Sequence, residues 1–294
     1  MENKCNWVID EILLERHDGD EGFPSLGSAA VDQGHNVFVT KYVPFSVQPI
    51  FNFNQLDPEL PTILYGSIQF LNQVERCGIL RNLGYPGAYF KKEALKFSNY
   101  CWRYPGLMLS DRWQILPYGE LKRRLDADLF DGLQPPYFDD HRMFIRPDVV
   151  TKSFAGRVFD FETREDNPEQ LSRYEHISNE ELCVIAREES IIGEYRHVIC
   201  NREVIAQSQY QRDGKLDIRI DIEPDCQSLA KQIAREEYQP DNVYVVDTAL
   251  TVDGPRIIEF NAFSCSGLYA CDTNNIVMRV SEAAIREYNG EDVD

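Results

Sequence analysis

VYVVDTALTVDGPRIIEFNAFSCSGLYACD, residues 243–272, is the stretch whose reading decides the fold. Residues 243–252 are apolar or β-branched apart from one acid, Asp247, and read as a strand. Asp253, Gly254 and Pro255 supply a turn. Residues 256–261 alternate, which puts Glu259 and Asn261 on one face, because strand side chains repeat every second residue. A buried acid in an apolar strand is costly unless it is paired or holds a metal. Asp247, Glu259 and Asn261 together offer oxygen donors of the kind Mg²⁺ prefers. Whether they converge depends on register. A two-residue loop would pair Asp247 with Phe260 and turn the acid to the wrong face. An odd loop built on Asp253-Gly254-Pro255 pairs Asp247 with Asn261 and Ala249 with Glu259, so that all three share a face. The odd loop is the expectation.

Around this hairpin the chain has 294 residues, 43% of them hydrophobic, with 16 Phe and 15 Tyr to build a core. That is enough for one large domain or two modest ones. No apolar run approaches the roughly 20 residues that span a bilayer. Residues 1–22 lack the basic start and apolar core of a secretion signal, so a cytoplasmic location is expected. The net charge of −19 argues against a nonspecific nucleic-acid binder, which needs a basic footprint. A local cluster of Arg and Lys can still hold a small anion. The eight cysteines show no C-x-x-C and no His at zinc-finger spacing. They read as reduced and mostly buried, Cys265 and Cys271 flanking the central loop.

Residues 1–130 read as an α/β domain. Strands are expected at 7–10, 36–40 and 62–66, the last ending in Gly66 and feeding a helix over 67–76 with Phe70, Leu71 and Val74 at helical spacing. Strand, glycine and helix in that order point to a parallel sheet. Residues 99–117 are aromatic and carry no pattern, and 121–129 predicts a short amphipathic helix. The best boundary signal is DGLQPP, residues 131–136. From 137 to 294 the texture is β-rich, with strands at 143–146, 157–161, 183–186, 195–200 and 203–210 ahead of the central pair. A two-residue turn at Asn201 and Arg202 sets Arg196 opposite Gln207 and Glu194 opposite Gln209. Helices are expected at 225–238 and 273–288, with Leu229, Ile233 and Ala234, then Ile276, Val277, Val280 and Ala284, turned inward.

Three further stretches carry chemistry. FIRP at 144–147 leads to DVVTKSFAG and then RVFD, a strand, a small-residue loop and a strand with Arg146 and Lys152 near the loop. Such a loop and its cations can cradle phosphates, and an ordinary hairpin with solvated charges explains the same pattern equally well. VIAREE at 184–189 is an apolar strand emerging into a linker whose first acid could take ribose hydroxyls. GEYRHVI at 193–199 places Glu194 and Arg196 on one strand face, which suits an anion contact or an edge salt bridge.

The order of these stretches, closed by Asp247 and the Glu259-Phe260-Asn261 pair, resembles the ATP-grasp superfamily, nearest its RimK-related branch from phages and bacteria. The resemblance covers about residues 140–285, with a weaker match before it. It implies an α/β (α+β) ATP-grasp fold at 137–294, whose antiparallel sheets sandwich the nucleotide, preceded by a smaller N-terminal α/β domain. It also implies cofactors ATP and Mg²⁺. Arg146, an Arg where the family usually has Lys, and Lys152 then stand as phosphate cations. Ser153 to Gly156 stand as the lid. Ile185, Ala186, Arg187 and Glu188 stand as the linker that binds adenine and ribose. Arg196, with Lys152, stands as catalytic. Asp247, Glu259 and Asn261 stand as Mg²⁺ ligands, with Glu259 bridging.

The activity implied is an ATP-dependent ligase that joins a small carboxylate or peptide to an amine or thiol through an acylphosphate, releasing ADP. In the family the region matching the loop at 262–271, with Ser264, Ser266, Gly267 and Tyr269, faces the nucleophile or acceptor. Two rivals stay open on the same scaffold: a phosphotransferase or nucleic-acid-end ligase, and an ATP-binding assembly factor that ligates nothing. The acidic surface counts against nucleic acid, and the full ligand set favours catalysis. The oligomeric state is open.

Overall fold

A computed structural model describes residues 4–14, 23–78, 87–126, 142–151, 153–160 and 177–291. The chain divides into two compact units, one of Met1–Lys91 with Ile191–Asp294, the other of Lys92–Ser190. The boundary expected at 131–136 lies outside the described residues. Among the described residues no helix is long and apolar enough to cross a membrane.

The first unit opens with a parallel sheet in the order β2-β1-β3, formed by β1 (Asn6–Asp10), β2 (Asn36–Thr40) and β3 (Thr62–Tyr65). β1 is buried at every position, as expected of a central parallel strand covered on both faces. The helix Ile68–Arg76 follows β3, with Ser67 as its cap accepting from the Phe70 N–H. Asp10 ends β1 almost fully buried and accepts from the backbone N–H groups of Tyr42 and Ser67 and from the Ser67 hydroxyl. Gly66 is required there, since a Cβ would stand 2.7 Å from the Asp10 Cβ.

The second unit is a four-stranded antiparallel sheet in the order β4-β7-β5-β6, made of β4 (Trp113–Pro117), β5 (Arg142–Pro147), β6 (Arg157–Asp160) and β7 (Leu182–Arg187). Met143, Ile145, Phe159, Cys183 and Ile185 form its core. β4 lies in the aromatic stretch that carries no pattern. It is a strand because β7 pairs with it from Trp113 to Pro117, not because its own residues alternate.

The chain then returns to the first unit with five antiparallel strands in the order β10-β9-β8-β11-β12. These are β8 (Gly193–Cys200), β9 (Glu203–Arg212), β10 (Lys215–Arg219), β11 (Val243–Thr251) and β12 (Gly254–Ala262). The helix Thr273–Tyr288 fills the space between this sheet and the parallel one. Its Ile276, Val277 and Val280 join Trp7, Ile63, Val198 and Val245 in one core, and the Trp7 indole donates to the Ser281 hydroxyl at 3.1 Å. The helix Pro224–Arg235 ends short of the expected 238 because the chain turns extended at Glu236, ψ 156°. Gln239 and Arg202 then donate to the Glu236 carbonyl.

The hairpin register differs from the expectation. The loop between β11 and β12 is two residues, with Thr251 opposite Gly254. Thr251 Oγ1 donates to the Gly254 carbonyl and accepts from the Asp253 N–H, which draws the loop tight around Gly254 at φ 99°. The extra residue sits in the strand instead: Thr248 faces Ile257 and Asp247 faces Glu259, leaving Ile258 as a bulge. One inserted residue flips strand parity as an odd loop would. The three polar groups therefore share a face by a different route. The β8–β9 turn is two residues as expected, with Asn201 and Arg202 both at positive φ. Bulges shift that pairing too, so Arg196 stands opposite Ser208 and Glu194 opposite Gln211.

On the other face of β8, His197 is fully buried between the Gln207 amide oxygen at 3.1 Å and the Thr248 hydroxyl at 2.9 Å. Burial pushes its imidazole down to about 4, with the Gln207 contact opposing. An unfolded chain takes up that proton near pH 6.5, which the folded chain refuses. Stability present above that pH is therefore lost as pH falls toward 4. Between pH 7 and pH 5 the wild type should lose about 2 kcal/mol more than His197→Gln, read from urea midpoints. Equal slopes in the two proteins would refute this.

Candidate functional site

β8, β11 and β12 lie side by side, and on one face they present Arg196, Asp247, Glu259 and Asn261. Asp247 is directly opposite both Arg196 and Glu259. The Arg196 guanidinium grips Asp247 with two bonds, Nε to Oδ1 at 2.9 Å and Nη2 to Oδ2 at 2.7 Å. Nη1 donates to the Gly267 carbonyl at 2.5 Å. The Asn261 amide donates to Asp247 Oδ2 at 3.1 Å and to Glu259 Oε1 at 2.9 Å. Two carboxylates are thus gathered around one amide, and the four expected residues form a single network.

The network is buried: Arg196 is 7% exposed, Asp247 1% and Asn261 5%. Burial alone would lower the Arg196 pKa, but the Asp247 carboxylate beside it more than offsets this and holds it above its ordinary value. Glu194 extends the network, accepting from the Tyr210 hydroxyl at 2.5 Å and the Gln211 amide at 2.7 Å. Burial raises its carboxyl above the usual value, and the charges of Asp247 and Glu259 add to the rise. Sequence reasoning placed Glu194 on the right face but gave it no part in the site. It also missed Tyr210, which stands beside Arg196 only because of a bulge.

Among the described residues no group of three or more His, Cys, Asp or Glu side chains is gathered to hold a metal. A cation here would rely on Asp247, Glu259 and the carbonyl oxygen of Asn261, which a turn of its amide would present. Two carboxylates and an amide joined in one network are a donor set that fits a hard cation.

The second unit places its own candidates. Arg146, last but one in β5, is largely buried; Nε donates to the Pro147 carbonyl at 3.3 Å and its guanidinium lies 5.9 Å from the Phe97 ring centre. Asp148, next but one along the chain, accepts from the Ser98 N–H and hydroxyl at 2.7 Å each and fixes the start of the loop. Lys152 lies outside the described residues. Ser153 donates to Glu181. A Cβ on Gly156 would come within 2.7 Å of the Phe144 ring and 3.2 Å of the Arg146 Cβ. A side chain at 156 would have to displace the end of the Phe144 ring, and glycine lets the loop pass close over β5 without that. Ile185 and Ala186 are buried in β7, which is paired on both edges. Arg187 closes that strand near Glu189, at 3.6 Å, and Glu188 takes a two-pronged contact from Arg142.

All eight cysteines are free. Burial pushes the Cys271 thiol up to about 12, so of the pair flanking the loop that one is an unreactive packing residue.

A family model for an ATP-grasp domain, the second family of its clade, matches residues 121–278. Curated proteins give no match. Among solved structures, D-cycloserine synthetase DcsG superposes with a TM-score of 0.58 at 12% identity, covering 96% of this chain and 99% of that one. D-alanine–D-alanine ligase from Bacillus anthracis gives 0.56 at 12% identity, covering 98% and 99%. The ATP-grasp ligase PsnB, complexed with a phosphomimetic variant of its minimal precursor, Mg and ADP, gives 0.54 at 16% identity, covering 98% and 100%. At these identities the likeness is one of fold.

Removing the cation from this network should be severe. Arg196→Met leaves Asp247 buried without its partner and is expected to cost about 3–5 kcal/mol in chemical denaturation. A loss under about 1 kcal/mol would mean that solvent reaches the carboxylate.

Proposed function

We propose, from the premise that this chain belongs to the ATP-grasp domains, in the second family of its clade, that it is an ATP-dependent ligase joining a carboxylate to an amine. The observation that carries the reading is the network of Arg196, Asp247, Glu259 and Asn261 on one sheet face. Acids alone on that face would repel a triphosphate. Acids that take up Mg²⁺ become cation-binding instead, and an arginine beside them adds donors for phosphate oxygens.

In this reading Glu259, Asp247 and Asn261 hold Mg²⁺, which when bound offsets phosphate charge and polarises the transferring group. Arg196 keeps N–H donors on both terminal nitrogens beyond those spent on Asp247 and Gly267, and turns them to the oxygens where charge develops. Arg146, Lys152, Ser153 and Gly156 serve the phosphates, and residues 185–188 serve adenine and ribose. The carboxylate attacks the terminal phosphorus of ATP, ADP leaves, and the amine then displaces phosphate from the acylphosphate. Such chemistry asks for positioning and charge neutralisation more than for covalent help from the protein. The similar structures include a D-alanine–D-alanine ligase and PsnB with precursor peptide PsnA2 and AMPPNP, which supports an amino acid or peptide as the substrate class. Residues 1–130 would serve as the domain preceding the grasp and 137–294 as the grasp itself, in a cytoplasmic protein.

Glu259→Gln keeps the side chain's size and its bond with Asn261 while removing a charge. With Mg-ATP and a panel of amino acids and short peptides, ADP release should fall at least about 100-fold with an unchanged circular dichroism spectrum. Undiminished release would remove Glu259 from the metal site. AMP rather than ADP as product would reject the acylphosphate route.

A further inference from the structure

Beyond that reading, and resting on its role for Arg196, we infer that Tyr269 is a positioning residue. With Tyr210 it forms an aromatic wall that holds the Arg196 guanidinium in the plane it needs to meet the transferring phosphoryl group.

Two backbone irregularities point to this wall. Among the described residues, the non-glycine residues with positive φ are Phe45, Asn201, Arg202, Asp213 and Tyr269. Asn201 and Arg202 make the β8–β9 turn, and Asp213 makes the β9–β10 turn with Gly214. Phe45 is fully exposed. Tyr269, at φ 52°, is the half-buried aromatic of the set and belongs to no hairpin turn. A bulky side chain adopts that conformation only when its surroundings impose it.

They do impose it. The Ser266 hydroxyl donates to the Ala262 carbonyl at 2.7 Å and the Tyr65 hydroxyl to the Ser266 carbonyl at 2.5 Å. The Ala270 N–H donates to the Ser208 hydroxyl at 3.1 Å and the Cys271 N–H to the Leu268 carbonyl at 3.0 Å. The second irregularity is in β9. Between the pairs Glu194–Gln211 and Tyr195–Gln209, Tyr210 is the extra residue of a bulge. A bulge re-aims one side chain without ending the strand.

Both irregularities deliver a ring to the same place. Tyr210 and Tyr269 stack with centres 4.9 Å apart and planes 11° from parallel. The Arg196 guanidinium carbon lies 5.0 Å from the Tyr269 ring centre and 5.6 Å from that of Tyr210. Asp247 and the Gly267 carbonyl hold the group through its N–H donors, and the rings add the attraction of a cation for an aromatic system. Glu194 in turn anchors the Tyr210 hydroxyl at 2.5 Å. Tyr269 comes from the loop and needs only its ring for this role.

The test compares Tyr269→Phe, Tyr269→Leu and Tyr269→Gly, the last also relieving the left-handed backbone. Two readouts are taken. One is the Arg196 Nε–Hε NMR cross-peak in the nucleotide-free protein, assigned by its loss in Arg196→Lys. The other is the ratio of dissociation constants for Mg-ADP and Mg-AMPPNP. Phenylalanine should leave both as in the wild type. Leucine and glycine should broaden the cross-peak and weaken Mg-AMPPNP about tenfold relative to Mg-ADP. An unmoved cross-peak and ratio in both, beside a wild type that distinguishes the nucleotides, would overturn the wall and leave the ligase reading standing. A wild type that binds neither nucleotide would overturn the ligase reading and the phosphoryl role with it. Where leucine does not fold, glycine carries the comparison.

Discussion

Arg196 and Asp247 are two opposite charges locked together on adjacent strands, at 7% and 1% exposure, and the rest of the sheet face is arranged to make that tolerable. Taking two ions out of water costs several kcal/mol each, and only close geometry with further hydrogen bonds offsets it. Here β8 and β11 set the two residues directly opposite. The Asn261 amide takes one lone pair of the carboxylate, the Gly267 carbonyl takes an N–H of the guanidinium, and two tyrosine rings stand beside it with their centres 5.0 and 5.6 Å from its carbon. A pair supported this way is poorly explained as a stabiliser, since well-packed apolar residues would serve as well. It is better explained as a held charge pattern.

Keeping that pattern on one face is a parity problem. Side chains in a ladder alternate, so three strands bring chosen residues to one side only if their registers agree. The sheet meets this with bulges. Ile258 is the extra residue that brings Asp247 level with Glu259, and Tyr210 is the extra residue that turns its ring toward Arg196. Glycine solves the matching problem of close approach in the other unit, where Gly156 passes over Phe144 and Arg146.

Much of this was legible in the sequence. A single acid in an apolar strand, followed by Glu259 and Asn261 at a spacing of two, announced a shared face, and it is shared. Phe70, Leu71 and Val74 announced the helix after β3 and form its buried face, while Ser67, read as its first residue, is its cap. Such features are local, because period and capping depend on neighbours in the chain. β4 was not legible, since its strand exists by pairing with β7, whose partner residues lie some seventy positions away.

The amino-acid sequence by itself singled out Arg196, Asp247, Glu259 and Asn261 from residue type, spacing and order along the chain, and the four do meet in one network. Tertiary structure alone decided how they meet. The sequence pattern is equally satisfied by an odd loop or by a tight loop with a bulge, because both change parity by one. The choice fell to Thr251 closing the turn around Gly254 and to Ile258 leaving the ladder. In the same way, nothing local marks Tyr210, and nothing local joins Tyr269, named only as part of its loop, to Arg196. Their rings reach Arg196 through one strand irregularity and one left-handed residue, each held by hydrogen bonds from distant parts of the fold.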